Sequence, residues 1–280
     1  MKRLLLAFLF VLVSALPALA VDAPKESVYD RVLRTGTIRC GYGMWDIHLK
    51  KDPNTGKFSG IFYDYMEALG KALNLKIEWA EEVGWGDYIA GLVNDRFDAY
   101  CTVVGLNAER ARQVDFLTPL FFLRSDVFAR VGDARFDHHL ERINQPDVTM
   151  TTIEGDLYGK IADREFPLAK KLTLPQLATT AELFTSLADG KSDVIITDAS
   201  SGAVYLHNNP GKIERVKLDA PYRALPASIS IKGGEYRFQR MLDIATIEMM
   251  ANGTIGQILD KYDPQREAVA DAADPVKVKK

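Results

Sequence analysis

The sequence has few of the residues and motifs that enzymes and metalloproteins concentrate in their sites. It holds two cysteines and four histidines in 280 residues, and the histidines (His48, His138, His139 and His207) do not share a metal-ligand spacing. The sequence also lacks five motifs common in enzymes: the dinucleotide-binding, phosphate-loop, redox Cys-x-x-Cys, zincin and nucleophile-elbow motifs. We therefore expect no metal or other cofactor, and we do not expect an enzyme.

Neither sign of charge dominates, since 35 Lys and Arg stand against 38 Asp and Glu for a net charge of −3. Without a basic stripe, a nucleic-acid partner is not expected. The one long hydrophobic run, residues 4–16, follows Lys2 and Arg3 and precedes Ala18-Leu19-Ala20. This pattern is typical of a secretory signal peptide, and the run is shorter than the ~20 residues that span a bilayer. A retained N-terminal anchor is the alternative.

Cleavage near Ala20 is therefore predicted, with the mature protein in the periplasm. Cleavage would remove Lys2 and Arg3 and take the net charge from −3 to −5. The remaining cysteines, Cys40 and Cys101, each lie in an apolar, strand-like segment. An exported pair is often oxidised, but two buried thiols fit the same pattern. The sequence leaves both alternatives open.

Strand and helix patterns alternate along the mature chain, which favours an α/β fold with parallel sheets covered by helices. Predicted strands are residues 37–41, 75–79, 97–104, 148–153 and 193–198. Predicted helices are residues 62–73, 88–93, 107–113, 182–187, 199–207, 236–252 and 254–262, together with one that begins at about residue 157. The pattern restarts near residue 148, so we predict two α/β units with a cleft between them. Ligands bind beyond the carboxyl ends of the strands in such sheets, where residues 41–46, residues 102–110 and Asp198 lie.

Two charged residues are the strongest candidates for this cleft. Arg110 falls in the first turn of a helix that Asn107 would cap, where a guanidinium and free amides favour a carboxylate. The alternative is a solvated arginine paired with Glu109 or Asp115. Asp198 ends an apolar strand and could receive an ammonium, or it could simply cap the next helix.

Weaker candidates surround these two. Asp156 opens a predicted helix, so capping that helix is the simpler interpretation. If its side chain instead faces the cleft, it would attract a cationic group of the ligand. Trp45, Tyr42 and Trp85 are candidates for stacking on a ligand, although aromatic residues more often belong to the core. Asp46, beside Trp45, is a further acidic candidate.

The order of several segments resembles one known family, the bacterial extracellular solute-binding proteins of family 3, of the amino-acid-binding type. The resemblance covers roughly residues 33–262, and it is carried by residues 35–41, 55–64, 97–99, 109–116 with Pro119, and 252–255. It implies a two-lobed periplasmic binding protein of type II, with two parallel-rich sheets joined by two hinge strands. It also implies that Arg110 grips a ligand α-carboxylate, that Asp198 receives the α-ammonium, that Thr102 and Gly105 line the site, and that Trp45 is the pocket aromatic.

The resemblance also suggests domain boundaries and a partner. Lobe 1 comprises residues 21–129 and 226–280, and lobe 2 comprises residues 130–225; the chain crosses near 129–131 and returns near 226–227. From composition alone, the Ala-, Asp- and Lys-rich residues 266–280 are expected to form a flexible tail. The function implied is capture of an amino-acid-like ligand by lobe closure and delivery to the membrane permease of an ABC transporter, by a monomer.

Three positions depart from the family pattern. Phe62 replaces the first acid of the helix signature, Gly105 replaces a common Ser or Thr, and Asp156 stands where a Thr or Ser often holds the carboxylate. A ligand with an extra cationic group would therefore suit Asp46, Asp156 and Asp198. Two alternative functions remain: a dehydratase acting on prephenate or arogenate, with Asp156 or Glu154 as the acid, and a sensory or accessory protein.

Overall fold

A computed structural model describes residues 26–266 and 268–271, which alternate between strands and helices. The helices are α1 (Val28–Thr35), α2 (Ile61–Leu73), α3 (Tyr88–Val93), α4 (Leu157–Glu165), α5 (Thr180–Ala188), α6 (Ala199–Asn208), α7 (Tyr236–Ala251) and α8 (Thr254–Tyr262). The strands are β1 (Thr37–Tyr42), β2 (Lys50–Lys51), β3 (Phe58–Ser59), β4 (Lys76–Glu82), β5 (Ala99–Gly105), β6 (Val114–Phe116), β7 (Phe121–Arg130), β8 (Thr149–Ile153), β9 (Lys170–Leu174), β10 (Val194–Asp198), β11 (Ile213–Arg215), β12 (Arg223–Lys232) and β13 (Val269–Asp271).

Local sequence accounts for most of these elements. In α2, the apolar side chains that recur at helical spacing are buried, among them Phe62, Met66 and Leu69. A capping box begins α5, because the Thr179 side chain accepts from the amide of Glu182 while the Glu182 carboxylate accepts from the amide of Thr179. The predicted helix at 107–113 is wrong, because only a short 3-10 helix, Arg110–Arg112, forms there.

The strands form two parallel groups joined by antiparallel strands, in the order β4-β1-β5-β12-β7-β10-β8-β9. In one group β1 pairs in parallel with β4 and β5; in the other, β8 pairs in parallel with β9 and β10. The long strands β12 and β7 pair antiparallel with each other and link the groups. This arrangement confirms the two-lobed α/β fold; lobe 1 is built around β4-β1-β5 and lobe 2 around β10-β8-β9.

The pairing of β7 indicates where the chain passes between the lobes. Phe121 to Ser125 pair with β12, whereas Ser125 to Ala129 pair with β10 of lobe 2. The partner of Ser125 on β12 is Arg223. The boundaries predicted near 129–131 and 226–227 stay a prediction, and we propose that the hinge lies at the Ser125–Arg223 pair.

Two further expectations fall near the ends of the chain. Within the tail predicted to be flexible, Val269–Asp271 form β13 beside Phe121–Leu123 of β7, and residues 272–280 lie outside the described part. The predicted signal peptide, residues 1–20, also lies outside it. In the portion that is described, no helix has the length and apolar character to cross a membrane.

The two cysteines form a disulfide that joins neighbouring strands of lobe 1. Cys40 on β1 and Cys101 on β5 have Cα atoms 5.4 Å apart and bonded sulfurs. Both side chains are fully buried. Parallel pairing of β1 with β5 brings together residues separated by 61 positions in the sequence, so the sheet decides between the two alternatives that the sequence leaves open.

Candidate functional site: a cavity between the lobes

A small cavity of about 30 Å³ lies between the two lobes. Its wall combines one guanidinium, two carboxylates, two indoles and several aliphatic side chains. The lining residues are Trp45, Trp85, Val104, Gly105, Arg110, Leu123, Asp156, Leu157, Tyr158, Asp198 and Leu225. The structure therefore brings together six residues that the sequence predicts for the site: Trp45, Trp85, Gly105, Arg110, Asp156 and Asp198. Their role in binding a ligand stays a prediction.

Arg110 reaches this cavity from the end of β5. The side chain of Asn107 accepts a hydrogen bond from the Arg110 amide (2.9 Å), although the N-cap of the short 3-10 helix is Glu109, which makes no side-chain capping bond. The Arg110 side chain is only 4% exposed. Its guanidinium donates to the carbonyl oxygens of Gly105 (3.4 Å) and, across the cleft, Gly155 (3.0 Å), and it lies 5.5 Å from the ring centre of Tyr88.

The alternative of a solvated, paired arginine is therefore wrong. Glu109 instead pairs with Lys160 of lobe 2 at 2.5 Å, and Asp115 accepts a hydrogen bond from the amide of Gly234. Because both bonds of the Arg110 guanidinium go to backbone carbonyls within the described residues, a stronger acceptor such as a carboxylate could replace them.

Asp198 ends β10 on the opposite side of the cavity and is fully buried. Its carboxylate caps α6 by accepting from the Ser201 amide (3.0 Å), as the simpler interpretation predicts. It also accepts from the hydroxyls of Ser200 and Ser201 and from the indole N–H of Trp45, which lies 2.6 Å away in lobe 1. Capping and a place in the cavity wall are thus compatible.

These donors keep Asp198 ionised in the interior. Burial by itself raises the pKa of the carboxyl. The interaction with His48, whose Nε2 lies 3.8 Å from Oδ1, and the hydrogen bonds from Ser200 and the Ser201 amide outweigh burial and hold the pKa of Asp198 well below its usual range. The lobe 2 side of the cavity therefore carries a fixed negative charge.

Asp156 behaves differently although it also precedes a helix. Its carboxylate accepts from the amides of Leu157 (2.6 Å) and Tyr158 (3.1 Å) and so caps α4. Removal from water raises the pKa of Asp156 to about 6, against the opposing effects of Arg110 and of the two amides. Near neutral pH a fraction of this carboxyl keeps its proton, in contrast to Asp198. Glu154 is exposed, so it does not share this environment.

The loop after β1 supplies Trp45 and Asp46, and only the first lines the cavity. The Trp45 ring meets the Trp85 ring edge to face, with centroids 5.3 Å apart. Asp46 has a positive φ of 31° and lies in an adjacent groove together with Thr180. Burial and the nearby Asp198 charge raise the pKa of Asp46. The position of Asp46 therefore does not support direct contact with a ligand in the cavity.

Of the two small residues predicted on β5, Thr102 and Gly105, only Gly105 lines the cavity. Thr102 is fully buried and its hydroxyl has no hydrogen-bond partner among the described residues, but it is not part of the cavity wall. Gly105 is part of the wall, and a Cβ placed on it would lie 2.3 Å from Cδ2 of Leu157. The missing side chain at Gly105 is thus what lets Leu157 of lobe 2 close over β5.

Sequence reasoning missed several residues of this site. Ser200 and Ser201 hold the Asp198 carboxylate, and His48 of lobe 1 contacts Ser200 at 3.2 Å. The two serines follow an acid at a predicted strand end, so their hydroxyls could have been recognised as donors. His48 has no such signal, because 152 residues separate it from Ser200.

Two α/β lobes that meet at a cleft with a buried arginine on one side and a buried carboxylate on the other define a two-lobed solute-binding protein. The chain belongs to the bacterial extracellular solute-binding proteins, family 3, whose family model matches residues 49–265. The resemblance found in the sequence is thereby confirmed.

Individual relatives include both an enzyme and binding proteins. Over 196 residues the chain is 30% identical to the cyclohexadienyl dehydratase of Pseudomonas aeruginosa, an alignment covering 67% of this chain and 70% of that protein. Over 274 residues it is 25% identical to the L-arginine-binding protein of the same organism, covering 94% and 96%. The relatives therefore do not by themselves separate the two activities.

Solved structures show the same fold. An ancestral amino acid-binding protein, described as a precursor of cyclohexadienyl dehydratase, superposes with a TM-score of 0.74 at 24% identity. The match covers 85% of this chain and 99% of that one. It supports the two-lobed architecture that the strand order defines.

Proposed function

We propose that this protein is a periplasmic solute-binding protein that captures an α-amino acid between its lobes and delivers it to the permease of an ABC transporter. In this proposal the chain is exported by a signal peptide cleaved near Ala20 and acts as a monomer. The ligand's carboxylate binds Arg110 of lobe 1, and its ammonium binds Asp198 of lobe 2. Binding both groups draws the two lobes together around the ligand.

The observation that carries the proposal is that Arg110 and Asp198 come from different lobes and line one cavity. Each is buried, so each interacts with an opposite charge in a medium of low dielectric constant. The low pKa of Asp198 means that its carboxylate is charged across the physiological pH range. An arginine and a permanently ionised carboxylate match the two charges of a zwitterionic amino acid.

We further propose that the ligand carries a second positive charge. The cavity wall holds two carboxyl groups, Asp156 and Asp198, against one guanidinium. A cationic side chain would favour the ionised form of Asp156 and would balance this excess. The similarity to an L-arginine-binding protein along most of the chain supports the same class of ligand.

Isothermal titration calorimetry on protein that has been stripped of ligand by unfolding and refolding tests the proposal. We expect L-arginine or L-lysine to bind more tightly than L-glutamine, and acids without an amino group to bind weakly or not at all. Binding of dicarboxylic acids alone would overturn the proposal, because Asp156 and Asp198 would then repel the ligand.

A dehydratase is the second candidate, and Asp156 is the observation that favours it. A carboxyl group with a pKa of about 6, placed in the cavity beside Arg110, is suited to donate a proton to a leaving hydroxyl group. The 30% identity to a cyclohexadienyl dehydratase points in the same direction. Incubation with prephenate, followed by the absorbance of an aromatic product, tests this activity; turnover that disappears in Asp156→Asn would establish it.

A further inference from the structure

The loop formed by residues 43–49 of lobe 1 touches the proposed ammonium site of lobe 2 directly. The indole N–H of Trp45 donates to Oδ2 of Asp198 at 2.6 Å. Beside it, Nε2 of His48 lies 3.2 Å from the Ser200 hydroxyl. Trp45, His48 and Asp198 are all nearly or fully buried, so these contacts form part of the closed interface between the lobes.

The remaining direct hydrogen bonds to Asp198 come from its own lobe, while His48 of lobe 1 lies farther away, with Nε2 3.8 Å from Oδ1. Oδ2 also accepts from the hydroxyls of Ser201 (2.7 Å) and Thr197 (3.4 Å), and Oδ1 accepts from the Ser201 amide (3.0 Å) and the Ser200 hydroxyl. Oδ2 thus accepts from three donors, although one carboxylate oxygen offers about two lone-pair positions, and the Thr197 contact is long. When the lobes separate, Trp45 leaves and Ser201 and Thr197 stay, so an ammonium can take the place of the indole on Oδ2.

Trp45 is held in place by its own loop. Its amide donates to the Leu49 carbonyl (3.0 Å), and its carbonyl accepts from the amides of His48 (2.9 Å) and Leu49 (3.2 Å). The edge of the Trp85 ring supports the indole. Because these contacts lie within lobe 1, they do not depend on the lobes being together.

We propose that Trp45 is an intramolecular competitor for the ammonium-binding face of Asp198, so that the lobes close on each other through this bond and a ligand must displace the indole. The proposal rests on the proposed function for the identity of the ligand group. It also agrees with the size of the cavity, about 30 Å³ with Leu157 packed over Gly105, which leaves space for a single water-sized group. A bound amino acid therefore requires the indole and Leu157 to move apart.

Calorimetric titration of Trp45→Phe with L-arginine, L-lysine, L-histidine and L-glutamine tests the competition. The phenyl ring keeps the aromatic contact with Trp85 but lacks the N–H. Removing a hydrogen bond to a charged group should lower the closed, unliganded population about tenfold and tighten the Kd of the bound amino acid about tenfold. Trp79→Phe is the matched control, because its indole bonds to the exposed Glu67 outside the site, and it should leave Kd unchanged.

A second measurement needs no ligand. In protein labelled with ¹⁵N-tryptophan, the indole resonance that disappears in Trp45→Phe should show slow hydrogen exchange in the ligand-free wild type, whereas that of Trp79 should exchange fast. Fast exchange at Trp45 would overturn the proposal. If an amino acid binds the wild type but binds Trp45→Phe no more tightly, the competition is overturned and the proposed function stands. If no amino acid binds either protein, both are wrong.

Discussion

At the scale of single residues, two aspartates in equivalent local positions differ in charge state. Asp156 and Asp198 each cap a helix and each line the cavity. Side-chain donors and His48 surround Asp198, whereas Asp156 receives two backbone amides and faces Arg110. His48 and the hydroxyl donors therefore keep Asp198 permanently charged, whereas burial outweighs Arg110 and the two amides at Asp156, which titrates near neutral pH.

Replacing Arg110 tests the carboxylate site. Arg110→Ala should weaken binding of the amino acid by tens of fold or more, because each charge-assisted hydrogen bond contributes about 1.5–3 kcal/mol. Arg112→Ala is the control, since Arg112 lies in the same 3-10 helix with an exposed side chain. Calorimetry on both variants measures the effect. An unchanged affinity in Arg110→Ala would remove Arg110 from the site.

Asp156 should make the protein less stable as the pH rises from about 4 to 6. Its pKa is about 6 in the folded state and 3.8 as the reference value, so in this window the unfolded chain releases the proton first. The folded state therefore loses up to about 3 kcal/mol relative to the unfolded state, and the loss is complete above the folded pKa.

The variant Asp156→Asn isolates this effect, because Asn caps helices as well as Asp does and carries no charge. Urea denaturation at several pH values should show that the variant gains stability relative to the wild type as the pH rises to about 7, with little difference near pH 4. A constant difference across this range would show that Asp156 does not titrate in it.

At the scale of elements, an ion pair ties the end of α4 to the start of the hinge strand β12. The Glu165 carboxylate accepts hydrogen bonds from the Arg223 guanidinium and the Tyr222 hydroxyl. The bond with Arg223 is the main reason that the pKa of Glu165 falls to about 2, although burial opposes it. The helix that Asp156 caps is thereby anchored beside the proposed hinge.

Loss of this anchor should lower stability in a pH-dependent way. A depressed pKa contributes stability that is present above the unfolded value, about 4.3, and is lost as the pH falls towards 2. Glu165→Gln should therefore cost about 1–2 kcal/mol near pH 7 and much less near pH 2.5. Glu154→Gln serves as the control, because that side chain is exposed. An equal cost at both pH values would contradict an ionic contribution.

At the scale of the whole molecule, the lobes meet through close backbone contact as well as through the cavity. A Cβ placed on Gly155 of lobe 2 would lie 2.4 Å from the amide nitrogen of Gly86 in lobe 1. Around this point Gln176 bonds to the Gly86 amide (3.0 Å) and to the Asp87 carboxylate (2.8 Å). The closed arrangement therefore depends on the absence of a side chain at Gly155.

Gly155→Ala should keep the lobes apart and weaken ligand binding about tenfold or more, as expected for overpacking at a tight interface. Gly190→Ala is the matched control, because Gly190 has nearly the same φ (75° against 76°) but open space around it. Small-angle X-ray scattering with saturating ligand should give a larger radius of gyration for Gly155→Ala alone. Equal losses in both variants would assign the effect to backbone strain.

The alternation of strand and helix patterns was sufficient to predict two α/β units with a cleft, because each element buries an apolar face whose spacing is visible locally. The two strands that link the lobes were implied only by the family resemblance. α8 was predicted with its observed ends, and α7 with its observed start. Arg110 and Asp198 were also recognisable, since each follows a strand at the edge where α/β sheets bind ligands. The prediction of a helix at 107–113 was wrong, because only a 3-10 helix forms there. In that segment the Arg110 side chain bonds to the carbonyls of Gly105 and Gly155, contacts that local sequence does not reveal.

The sequence by itself determined the succession of elements and the placement of the principal charges at strand ends, since these depend on short-range periodicity. The class of protein was implied by the resemblance of its segments to a known family. The tertiary structure alone decided which partners those charges meet. Trp45 and Asp198 are 153 positions apart, Arg110 and Gly155 are 45 apart, and Cys40 and Cys101 are 61 apart. Such contacts depend on strand order and lobe closure, which bring distant segments within hydrogen-bond range and have no local signature in the chain.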